Sequence, residues 1–101
     1  MNKILVVIKR PDAATVIEQI ENDLGVLQSL VGGYIEAVTL AEDLILIVNE
    51  EGLINGMPFN MNVCGYPFYG TIVAVSSKGE EFASLKAANV PLVIRMLGGR
   101  K

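Results

Sequence analysis

Five polar residues stand close together in an otherwise apolar chain: Asn49, Glu50, Glu51, Asn55 and Asn60. Carboxamides held in a fixed loop can read the edge of a planar ligand, because each offers both donors and acceptors. Paired carboxylates could share general acid–base work. Glu50 and Glu51 point to opposite faces while the chain stays extended, so Glu36 on a neighbouring strand is the better partner. The same residues also have a structural explanation. Asn and Gly stabilise tight turns through local hydrogen bonds and positive φ, and Asn55-Gly56 is a typical turn pair. Two turns would not also require Pro58 and Asn60, so both readings stand.

A second motif, Gly32-Gly33-Tyr34-Ile35-Glu36, follows a helical pattern and enters a strand-like one. A dinucleotide fingerprint needs the reverse order, with glycines after a strand and before a helix. The motif reads as a helix C-cap, or as a place where missing side chains let a ligand or subunit approach the backbone, with Tyr34 as a stacking platform. Tyr66, Phe68 and Tyr69, with Phe59 nearby, cluster around Pro67. Core packing is the simplest account of them, and an aromatic wall for a nucleobase or a subunit interface is the second. Cys64 has no base beside it and is expected to be a small packed group.

Composition removes much chemistry. The chain has no histidine and a single cysteine. That excludes histidine-dependent nucleophilic catalysis and leaves almost no route to a structural zinc site. A carboxylate Mg²⁺ site remains chemically open. The net charge is −3 and the pI about 4.8, which argues against DNA or RNA as a partner. The basic pairs Lys9-Arg10 and Arg100-Lys101 read as solvated ends. No apolar run approaches the roughly 20 residues of a membrane span. The N-terminal sequence lacks a signal-peptide pattern, and with one cysteine this points to a cytoplasmic protein. Half of the residues are hydrophobic, and the mean hydropathy is +0.47. For one small domain without a span, that excess predicts self-association into a homo-oligomer.

These residues must be positioned by a short run of elements. Lys3 to Ile8 is continuously apolar and predicts a central strand. Asp12 is a candidate N-cap for a helix starting at Ala13, with Val16, Ile17, Ile20, Leu24, Leu27 and Val31 as its buried stripe. Gly25 would break that helix, and Asp23 could cap a second one over Leu24 to Leu30 that Gly32-Gly33 stops. Tyr34 to Leu40 and Leu44 to Val48 should pair as an antiparallel hairpin. Leu53 to Pro67 reads as a long loop. Gly70 to Val75 alternates as a strand, followed by a turn at Ser76 to Gly79. Glu80 to Ala88 has helical character, with Phe82 and Leu85 inward. Leu92, Val93, Met96 and Leu97 repeat at helical spacing, although a strand is the alternative there. The chain, residues 1–101, therefore reads as a single compact α+β domain: a mainly antiparallel sheet of about four strands backed by two or three helices.

The spaced motifs Leu27 to Glu36, Asn49 to Gly52 and Asn55 to Asn60, followed by the strand Gly70 to Val75, resemble a family of small uncharacterised proteins from bacteriophages, plasmids and their hosts. The resemblance covers about three quarters of the chain and weakens from Gly79 onward. It implies a compact domain of mobile-element origin and transfers no activity.

Three functional expectations follow. The first is a non-enzymatic phage or mobile-element factor that captures a small nucleotide-like signal used in host defence, an inference by analogy. Gly33, Tyr34 and Glu36 would form one wall. Asn49, Glu51, Asn55 and Asn60 would supply polar contacts, and Arg10 or Arg95 would answer a phosphate. The second is an acidic module that inhibits a host protein. The third, a metal-assisted hydrolase using Glu36, Glu50 and Glu51, comes last. No catalytic residue, metal ligand or cofactor is expected under the first two.

Overall fold

β1, Lys3–Lys9, is rich in β-branched side chains, and Val6, Val7 and Ile8 are fully buried. A strand of this composition must be covered on both faces. A computed structural model, which describes residues 2–98, shows how this is done. Five strands pair in the order β2-β1-β7-β4-β3, and β8 pairs with the far end of β7. β2 is Val16–Glu21, β3 is Ile35–Ala41, β4 is Leu44–Asn49, β7 is Ile72–Lys78 and β8 is Glu81–Ala83. Every pairing is antiparallel. A separate hairpin of β5, Phe59–Val63, and β6, Tyr66–Tyr69, lies off the main sheet.

Three layers result. Helix α1, Leu24–Val31, places Leu27 and Val31 against Val6, Ile8, Ile47 and Val73 on one face. On the other face, helix α2, Val90–Gly98, and the β5–β6 hairpin bring Val93, Leu97, Val63 and Phe68 onto Val7, Leu46, Val48 and Ile72. β4 is buried along its whole length because both layers meet it. The α+β architecture with an antiparallel sheet is as expected, although the main sheet has six described strands rather than about four, and two more form the separate hairpin.

Four elements differ from expectation. The segment after Asp12 is a strand, not a helix. Pro11 and Asp12 form a reversing turn closed by the Ala13 N–H donating to the Arg10 carbonyl, and Asp12 sits at φ 58°. Pro followed by a left-handed residue is the arrangement of a type II turn, which returns the chain antiparallel to β1. The register then runs unbroken from Ile8↔Val16 to Lys3↔Glu21. Residues 16, 17 and 20 fit a helical period, but their β-branching suits the strand that pairing rewards. The second expected helix does form, capped by Asp23, whose carboxylate accepts from the Val26 N–H, and ended by Gly32 at φ 81°.

Within the expected loop Leu53 to Pro67, β5 forms and β6 begins, turning at Cys64 and Gly65, both at positive φ. Cys64 is exposed at this tip rather than packed. The expected turn at Ser76 continues as strand through Lys78, because β8 pairs back onto it. Glu80 to Ala88 is therefore β8 and the start of a 3₁₀ turn at Ala87–Asn89, not a helix. Leu85 is buried and Phe82 half-buried all the same. Residues 90–97, open between helix and strand, are helical. The pair Arg100-Lys101 lies outside the described residues. No described helix is long and apolar enough to cross a membrane.

Candidate functional site

The two polar motifs meet at one end of the sheet, and Asn49 is what joins them. It ends β4 and is buried. Its Nδ2 donates to the Val31 carbonyl at 3.1 Å, in the last turn of α1. Its Oδ1 accepts from the Glu51 N–H at 2.7 Å, which shapes the turn after β4. Gly33 is required beside it: a Cβ there would stand 2.8 Å from Asn49 Nδ2. The Glu50 N–H donates to the Tyr34 carbonyl at 2.8 Å and closes the corner. The turn continues with the Asn55 N–H donating to the Glu51 carbonyl and the Met57 N–H to the Gly52 carbonyl.

Asn60 does the same for the hairpin. Its Nδ2 donates to the carbonyls of Lys9 and Gly70, both at 2.8 Å, and its Oδ1 accepts from Lys9 Nζ at 3.2 Å. One carboxamide thus satisfies two backbone acceptors, at the end of β1 and just after β6. It thereby fixes β5 over the end of β1 and the start of β7. Lys9 is half-buried in this arrangement, not a solvated end.

Between β3, the turn after β4, and β6 lies a cleft of about 380 Å³. Ligand pockets span about 300–1,000 Å³, so it could hold one small planar group. Glu36 and Val38 of β3 and Val48 of β4 form one side; Glu50, Gly52 and Leu53 form the end; Tyr66, Pro67, Phe68 and Tyr69 form the other side. Gly52 sets the spacing, because a Cβ on it would lie 2.8 Å from the Tyr69 carbonyl oxygen. The Tyr69 ring is braced edge-on by Phe59, with centroids 5.5 Å apart and planes at 72°. Among the described residues, no lysine or arginine lines the cleft.

Of the nine residues expected to bind a ligand, the cleft lining includes Glu36 and Asn49. Gly33, Glu51 and Asn60 lie in the scaffold just described. Tyr34 and Asn55 are exposed beyond the lining, and Arg10 and Arg95 are exposed on β1's end and on α2. The residues that replace them are Glu50, Leu53, Tyr66 and Tyr69. Glu50 stands in the polar cluster after β4, and the signal for Tyr66 and Tyr69 is the short alternation on either side of Cys64-Gly65, a hairpin whose turn pair is atypical because cysteine seldom occupies positive φ. Among the described residues, no three His, Cys, Asp or Glu side chains are placed to hold a metal ion, so Glu36, Glu50 and Glu51 form no such group.

The cleft can accept hydrogen bonds through Glu36 and Glu50 and offers tyrosine faces for stacking. Its described lining contains no serine, threonine, cysteine or lysine. Comparison with curated proteins and with solved structures found no match. A family model described as a domain of unknown function, DUF3846, matches residues 1–98, and the chain belongs to that family.

Proposed function

We propose that this protein is a non-enzymatic binding protein whose cleft captures a small nucleotide-like molecule by its base. One observation carries the reading: two carboxylates and two tyrosines line a cleft with no lysine or arginine among its described lining residues. Planar bases stack on tyrosine and are read along their donor-bearing edges. A carboxylate accepts well from a base that presents neighbouring N–H groups, as guanine does. The absence of cations from the lining favours recognition of the base and leaves any phosphate outside the cleft. The biological setting, a mobile-element factor that sequesters a defence signal, draws its support from the motif resemblance alone.

Thermal unfolding with guanosine, adenosine, cytidine, uridine and their cyclic monophosphates tests this. Guanosine should raise the melting temperature most, and its cyclic monophosphate should do no better. A folded protein that none of these compounds stabilises would overturn the reading. A second reading, an acidic module that blocks a host protein, is favoured by Leu53 and Ile54, which stand 66% and 82% exposed at and beside the cleft.

A further inference from the structure

The charges of this chain are segregated. Nine of its eleven acidic residues, and none of its eight basic ones, fall between Pro11 and Ser77. That stretch contains β2 and β3, the two outer strands of the main sheet. Among the described residues β3 pairs with β4 alone, so along its other side the backbone meets no described strand. Such an edge is a template for an added strand. Glu36 on β3 and Glu50 just after β4 line the cleft beside this edge. Glu42 and Asp43 lie in the turn at the opposite end of β3. Of these four, Asp43 has an ion-pair partner, Lys86 at 2.9 Å.

We propose that the outer edge of β3 receives an extended, cationic segment of a partner protein, which adds as a strand to the sheet. Alternation along an added strand would put every second side chain on the face that carries Glu36 and Val38. Lysine or arginine at those positions meets Glu36 and Glu50, and an apolar residue meets Val38. A second copy of this chain is a poor occupant. Its own outer strands offer Glu18, Glu21 and Glu36 and no lysine or arginine, so edge-to-edge pairing sets like charges together. The surface shares Glu36 and Glu50 with the small-molecule cleft, but the proposal rests on the strand edge and the charge around it and not on a bound small molecule.

The test is selection from a random seven-residue peptide library, followed by titration of the strongest peptide and hydrogen exchange of the complex. Selected sequences should carry Lys or Arg at alternate positions. The bound peptide should slow exchange of β3 amides by about tenfold or more and leave β2 unchanged. Glu36→Gln, checked to unfold like the parent, should weaken binding by about fivefold or more. Absence of basic enrichment, protection of β2 instead of β3, or full affinity in Glu36→Gln would overturn the proposal. Guanosine binding is scored separately, so failure of one proposal leaves the other visible.

Discussion

The corner around Asn49 and the cleft beside it contain similar polar groups put to opposite uses. In the corner and at the hairpin, carboxamides spend their hydrogen bonds on the chain itself. Asn49 ties the turn after β4 to α1, and Asn60 ties β5 to β1 and β7. In the cleft, Glu36 and Glu50 have no hydrogen bond or ion pair to the side chains of the described residues. A polar group bonded internally is committed to holding the structure, whereas one left facing a cavity is available to something else. Dense turn chemistry therefore marked the scaffold, and sparser carboxylates marked the opening it frames.

Substitutions can break this contrast. The largest effect should come from the carboxamides. Asn60→Ala leaves the Lys9 and Gly70 carbonyls without their partner, and Asn49→Ala frees the end of α1, so each should cost about 2–3 kcal/mol in urea unfolding. A loss near zero for either would show that the scaffold role is wrong. Gly52→Ala comes next. The added methyl meets the Tyr69 carbonyl oxygen, so stability should fall by about 1–2 kcal/mol and the cleft should widen, read as altered guanosine affinity.

Cys64→Asn should change stability in the opposite direction. Cys64 and Gly65 occupy the two central positions of a two-residue hairpin with φ 51° and 84°. Asparagine tolerates that geometry better, so a gain of about 0.5–1 kcal/mol is expected in the same unfolding experiment. The smallest effect belongs to Glu36→Gln and Glu50→Gln, each within about 0.5 kcal/mol of the parent, because both residues are exposed and their side chains make no hydrogen bond or ion pair among the described residues.

The fold is legible in the sequence where local chemistry and tertiary pairing agree. The β3–β4 hairpin, the Asp23 cap and the Gly32 stop were legible because turn residues and apolar alternation pointed the same way. β2 was not, since Val16, Ile17 and Ile20 fit a helical period while their pairing with β1 is long-range. β8 failed similarly: Glu81–Ala83 is a strand because β7 extends far enough to accept it. In the site, Glu36 and the possible aromatic wall were visible as residues. Their juxtaposition was not, because it depends on where Asn60 places the β5–β6 hairpin.

The most direct test joins stability and binding in one molecule, the double variant Glu36→Gln, Glu50→Gln, unfolded in urea with and without guanosine. Without ligand its stability should match the parent to within about 0.5 kcal/mol, and guanosine should no longer stabilise it. A double variant that loses about 2 kcal/mol or more on its own, or one that guanosine still stabilises as strongly as the parent, would contradict the division between scaffold carboxamides and receptive carboxylates.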